Sequence, residues 1–176
     1  PDAAPVLCGS HLDSQPLGGK FDGAYGVMAA LETVRALNDA NAETRRPIDI
    51  VAWTNEEGSR FPAGCMGSSV FAGRREREAM LDLRDQDGLS VRDELVRIGY
   101  NGQEKCGGVS IAALFEVHIE QGPVLEQEGK SIGVVIGAQG MRCFRVRVKG
   151  TEGHAGTLPM DQRRDAFQGA ARMAVA

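Results

Sequence analysis

The stretch Cys8–Gly26, CGSHLDSQPLGGKFDGAYG, constrains this chain most. An apolar run (Val6, Leu7, Cys8) leads into it, and a helix-like segment follows from near Gly26. Between them lie His11, Asp13 two residues later, and Asp22 eleven residues after His11. The connection is rich in Gly and Pro, which end regular structure. An imidazole and carboxylates on a loop at the end of a buried strand suit a borderline divalent metal. The rest of the chain reads as further ligands, a base, or scaffold for that loop.

Taken in order, residues 5–9 form the strand before the loop. Val27, Met28, Leu31, Val34 and Leu37 recur at helical spacing, predicting a helix over 27–37. Ile48 to Trp53 (IDIVAW) is a short, mostly apolar run, as expected for a strand covered on both faces. It runs directly into Asn55, Glu56, Glu57 and Gly58. In open α/β sheets ligands gather beyond the carboxyl ends of strands, so the Glu pair shares a sheet edge with His11. Residues 58–73 are Gly- and Ser-rich and are expected to wrap the site; a surface helix is predicted over 91–98. IAALFEVHI (111–119) contains a third strand, whose end carries Glu116, His118, Glu120 and Gln121. Residues 132–136 are expected to form one more apolar strand. Then Phe144, Val146 and Val148 alternate with Arg145, Arg147 and Lys149, as in a strand with one wet face. That switch predicts two domains, 1–138 and 139–176. His154 lies in the turn-rich loop 150–160, and 161–176 reads as a helix. The chain opens without Met and closes inside an Ala-rich helical pattern, so it is expected to be a piece cut at both ends.

Composition removes several classes. A net charge of −4 offers no nucleic-acid surface. The four cysteines are scattered, with no CxxC pair, which argues against a zinc ribbon or disulfide framework and fits a cytoplasmic protein. No apolar run approaches the roughly 20 residues that span a bilayer. Glycines 19, 23 and 26 have no Lys-Ser pair or dinucleotide-type spacing to make a phosphate cradle, and no serine sits in a GxSxG elbow.

A lone His is more often a structural hydrogen-bonder than a ligand; the joint placement of these changes the balance. His11, Asp22, Glu57 and His118 would supply two nitrogens and two carboxylates. That set suits a dinuclear site whose ions sit about 3.5 Å apart, with Asp22 as the bridge. Asp13 either orients the His11 ring or caps a turn; spacing alone leaves both open. Adjacent side chains diverge, so of Glu56 and Glu57 one is expected to be a ligand and the other a base.

Four motifs in order, GSHLDSQPLGGKFDGAYGVMAALE, WTNEEGSRFPAGCMGSS, EVHIEQGPVLE and GHAGTLPMDQRRDA, together resemble the N-carbamoyl-amino-acid hydrolase family. This branch of the dimetal aminoacylase-like hydrolases includes β-ureidopropionase and allantoate amidohydrolase. The resemblance implies a catalytic α/β domain with a mainly parallel sheet, into which an α+β lid that forms the homodimer is inserted. It implies two divalent ions per subunit (Zn²⁺ or Mn²⁺, with Co²⁺ or Ni²⁺ also suited). His11 and His118 would hold one ion with bridging Asp22, and Glu57 the other. Glu56 would be the general base, and Asp13 would orient His11. Gln121 would contact substrate, and His154 would stabilise the oxyanion, by lid closure or across the dimer. A last His ligand and the Arg and Asn that hold the substrate carboxylate would lie beyond Ala176, so this stretch by itself is expected to be inactive. Leu158 stands where the family often has Thr.

The implied reaction is metal-dependent hydrolysis of the C–N amide bond of an N-carbamoyl-L-amino acid, a small ureido substrate. Allantoate or N-carbamoyl-β-alanine are the alternatives. A non-catalytic metal-binding or dimerisation module is the contrasting reading, and it would have no need of Glu56.

Overall fold

In the computed structural model, which describes residues 3–175, the chain forms two compact units, Pro1–Lys130 and Ser131–Ala176. The first holds a three-stranded parallel sheet: β1 (Val6–His11), β2 (Ile48–Trp53) and β3 (Ala113–Phe115), in the order β2-β1-β3. β1 is central, aligning Val6 with Ile48 on one side and with Ala113 on the other. Because all three strands run the same way, their carboxyl ends meet at one edge. His11 ends β1 opposite Trp53, so the segments bearing Glu56, Glu57 and His118 all leave the sheet beside it.

The crossover from β1 to β2 is α1 (Ala24–Asp39). Its buried residues are Gly26 and Ala30, whereas Met28, placed by spacing on the apolar face, is 58% exposed. Small residues win because the helix lies close to the strands. A Cβ on Gly26 would stand 2.3 Å from the Val117 carbonyl oxygen and 2.7 Å from Ser10 Cβ. The helix ends as Asn41 turns left-handed (φ 49°) and the Ala42 N–H returns to the Leu37 carbonyl at 2.9 Å.

Three short helices follow β2: α2 (Met66–Phe71), α3 (Arg77–Leu81) and α4 (Val91–Arg97). They enclose a small core of Phe61, Met66, Leu81 and Val91. Ser90 starts α4 by accepting the Asp93 N–H at 3.1 Å, satisfying a donor the helix itself leaves free. A four-residue helix, α5 (Val124–Gln127), has its first amides, Val124 and Leu125, taken by the Glu120 carboxylate at 3.1 and 3.0 Å.

Within Ser131–Ala176 the described regular structure is a 3₁₀ turn, Met160–Gln162, and α6 (Ala166–Ala174). Asp165 caps α6, accepting from the Phe167 and Gln168 amides. The strands expected over 132–136 and 144–148 do not form among the described residues, and Ile136 is 100% exposed. Apolar alternation favours an extended chain, but a strand also needs a neighbour for its N–H and C=O groups, and no described segment pairs with these. The helix expected over 161–176 is shorter because Pro159 and the 3₁₀ turn precede it. Its expected last residue, Ala176, lies outside the described residues.

Candidate metal centre

His11 is 2% exposed, and its Nδ1 lies 2.8 Å from the Asp13 carbonyl oxygen. A carbonyl can only accept, so that nitrogen carries a proton and Nε2 faces the site. His118, three residues past β3, repeats the arrangement with the Ile119 carbonyl at 2.9 Å. The two Nε2 atoms therefore point at each other, 3.5 Å apart. Asp22 completes the group, with Oδ1 3.7 Å from His11 Nε2 and 3.1 Å from His118 Nε2. One ligand atom from each of these three residues lies within 4.8 Å of the others. Converging lone pairs and a buried carboxylate repel unless a positive charge sits among them. A divalent cation supplies that charge, and nitrogen with carboxylate oxygen is a Zn²⁺ or Mn²⁺ donor set.

The approach depends on Gly23. Its φ is 65°, and a Cβ there would lie 2.3 Å from His11 ring atoms. Asp22 is thus carried against the imidazole by a residue with no side chain to clash. Its second oxygen, Oδ2, accepts from Gln121 Nε2 at 2.6 Å. Gln121 itself sits at φ 54°.

Glu56 and Glu57 diverge. Glu56 Oε2 is 3.6 Å from His11 Nε2, while Oε1 accepts from the Cys65 thiol at 3.4 Å. Burial first, and then this hydrogen bond, push the Cys65 thiol up from its ordinary pKa and keep it a donor. Glu57 Oε2 accepts from Gln15 Nε2 at 2.6 Å. Glu57 Oε1 is buried without a hydrogen-bond partner, a position that a cation would satisfy. Asp13 serves both ends of this arrangement. Its carbonyl holds the His11 ring, and its carboxylate accepts the Glu56 and Glu57 amides at 3.1 and 3.0 Å. The carboxylate itself stands 3.9 Å from His11 Nδ1.

His154 belongs to the second unit. Its Nδ1 accepts from the amides of Gly156 (3.0 Å) and Thr157 (3.2 Å), so the proton is on Nε2. This histidine is set up to donate from Nε2, the reverse of His11 and His118.

Sequence reasoning missed Gln15, Cys65 and Asn55. Asn55, at φ 51°, donates to the Phe61 and Ala63 carbonyls at 2.9 and 3.2 Å, closing the turn after β2. An Asn at a strand end just before the Glu pair was a readable sign of such a turn. Nothing local marks Gln15 or Cys65.

A model of peptidase family M20/M25/M40 matches residues 7–175. An N-carbamoyl-L-amino-acid amidohydrolase of Rhizobium meliloti is 49% identical over 173 residues, spanning 98% of this chain and 42% of that protein. An allantoate deiminase of Arabidopsis thaliana is 39% identical over 178 residues, 97% of this chain and 34% of its own length. Among solved structures, an amidase of the hydantoinase/carbamoylase family from Burkholderia multivorans superposes with a TM-score of 0.80 at 50% identity. That match covers 97% of this chain and 42% of the other. The chain thus spans about two fifths of the length of such relatives.

Proposed function

We propose, from the premise that this chain belongs to peptidase family M20/M25/M40, that its full-length protein is a metal-dependent amidohydrolase of N-carbamoyl-L-amino acids. It would release the amino acid, ammonia and carbon dioxide. The observation that carries this reading is the convergence of His11 Nε2, His118 Nε2 and Asp22 Oδ1, with the Glu56 carboxylate 3.6 Å from His11 Nε2.

His11, His118 and Asp22 would hold one divalent ion, and Asp22 with Glu57 would share in a second. Bound there, such ions polarise a carbonyl and lower the pKa of water. Glu56 takes the proton of the attacking water and later returns it to the leaving nitrogen. Asp13 keeps Glu56 and Glu57 in register with His11 through its three hydrogen bonds. Gln121 holds Asp22 from one side and would meet the substrate on the other. His154, with its proton fixed on Nε2, is suited to stabilise the oxyanion of the tetrahedral intermediate.

Allantoate is the second reading, favoured by the relatives named allantoate deiminase; N-carbamoyl-β-alanine would use the same machinery. A homodimer formed through a lid domain and a cytoplasmic location belong to this proposal. Among the described residues no helix is long and apolar enough to cross a membrane. A non-catalytic module is disfavoured by Glu56, which such a module would not need beside a metal.

Glu56→Gln tests the assignment in the full-length protein. Turnover should fall at least about a hundredfold, with metal content unchanged by elemental analysis. Near-wild-type turnover would sink the assignment of Glu56 as the base.

A further inference from the structure

The turn that carries Glu56 and Glu57 is fastened on its far side by groups with no part in the chemistry. Three residues past Glu57, Arg60 pairs with the carboxylates of Asp85 and Glu94. Its Nε and Nη2 each lie 2.9 Å from Asp85 Oδ2, and its Nη1 2.7 Å from Glu94 Oε2. Both acceptors are themselves fixed. Glu94 is 9% exposed and also receives Arg97 at 2.8 and 2.9 Å. Asp85 Oδ1 takes the Asp87 and Leu89 amides at 3.0 and 2.9 Å. The next residue, Phe61, is buried in the core made with α2, α3 and α4.

The segment between turns sharply, through one left-handed residue that has a side chain. Asn55, a residue with a Cβ, has a φ of 51°, a left-handed geometry held by its surroundings, and Gly58 supplies the second positive φ (68°) that the turn needs. Asp13 holds the turn from the β1 side, through the Glu56 and Glu57 amides. From the helical side the Cys65, Met66 and Gly67 amides return to the Glu56, Asn55 and Thr54 carbonyls at 2.6, 3.2 and 2.9 Å, and Arg60 adds a side-chain restraint whose planar fork grips two carboxylates at once.

We propose that Arg60 is a positioning residue: by bridging Asp85 and Glu94 it latches the turn that keeps the Glu56 carboxylate beside His11 and Glu57 turned inward. This rests on the hydrolase reading given above. It assigns a functional consequence to the helical layer 66–97, whose Asp85 and Glu94 hold this turn through Arg60. The depressed Glu94 carboxyl and raised Arg60 guanidinium agree with a tight pairing.

The test compares three variants of the full-length protein. Arg60→Ala, or Arg60→Gln should the alanine variant not fold, releases the latch. Arg60→Lys keeps the charge but loses the fork. Arg92→Ala is the control: Arg92 pairs with Glu78 (2.8 Å) and Asp82 (3.0 Å), tying α4 to the α3 region without touching the turn. Two readouts are taken, steady-state kinetics and amide hydrogen exchange at Glu56 and Glu57. Arg60→Ala is expected to lower kcat by about tenfold to a hundredfold with little change in KM, as a misplaced catalytic group does. It should also speed exchange at both amides. Arg60→Lys should fall between, and Arg92→Ala should leave both readouts at wild-type values. Unchanged exchange in Arg60→Ala, or equal effects of Arg60→Ala and Arg92→Ala, would overturn the latch. Faster exchange in Arg60→Ala, in a protein whose wild type neither binds metal nor hydrolyses any carbamoyl substrate, would uphold the latch and remove the hydrolase reading instead.

Discussion

Three histidines are put to two chemical uses by the backbone beside them. His11 and His118 each face a carbonyl with Nδ1, which leaves Nε2 turned to the site. His154 faces two amides with Nδ1, which leaves Nε2–H to donate. The sorting needs no other side chain, only a local turn, and it leaves Nε2 of His11 and His118 with a lone pair and Nε2 of His154 with a proton. At the same scale Gly23 is the least replaceable residue of the loop. Gly23→Ala would push a methyl to 2.3 Å from the His11 ring at a φ of 65°. The left-handed conformation alone costs about 1 kcal/mol or more for a residue with a Cβ. The larger expected effect is on the ring, whose displacement should weaken metal binding at least about tenfold, read by competition with a chelating dye. Unchanged affinity in a folded Gly23→Ala protein would mean that the His11 ring position does not govern binding.

At the scale of elements, the parallel trio β1, β2 and β3 brings three loops to one edge, and α2 to α4 steady the second of them. The ion pairs of that helical layer have a pH signature. Hydrogen bonds from Arg97 and then Arg60 draw the Glu94 carboxyl down to about 2, below its ordinary 4.5. A carboxyl depressed in the folded state adds stability that is complete above its unfolded pKa and fades as pH falls through the folded one. Wild type should therefore exceed Glu94→Gln in denaturant midpoint at pH 7. The gap should begin to close below about pH 4.5 and be gone near pH 2. A gap that stays constant across that window would remove the ionic contribution. The bounds of β2 were legible residue for residue, because a strand flanked by Pro47 and a turn has sharp ends, but the cover expected on both faces is missing among the described residues: β2 is an edge strand and Ile50 is 41% exposed. The meeting of His11, Asp22 and His118 was legible because their types and order are restrictive. What was not legible depends on contacts distant in sequence: the small-residue face of α1, the Gln15–Glu57 and Cys65–Glu56 contacts, and the absent pairing of 132–136 and 144–148. Periodicity marks which side chains are apolar, not how close a neighbouring backbone comes or whether a strand partner is present.

At the scale of the whole molecule, the first unit brings together His11, Asp22 and His118, a group able to hold a metal ion, and leaves Glu57 Oε1 buried without a partner. It spans about two fifths of the relatives it matches. The account therefore places the activity in the full-length protein and the cation chemistry in His11, Asp22 and His118. The direct test is ammonia release by that protein after stripping with chelator and reloading with Mn²⁺ or Zn²⁺. N-carbamoyl-L-methionine, N-carbamoyl-β-alanine and allantoate are offered side by side. The account predicts no release from the stripped protein and restored release on reloading, greatest with the N-carbamoyl-L-amino acid. Release that is equal with and without metal, or none from any of the three with the metal bound, would contradict it.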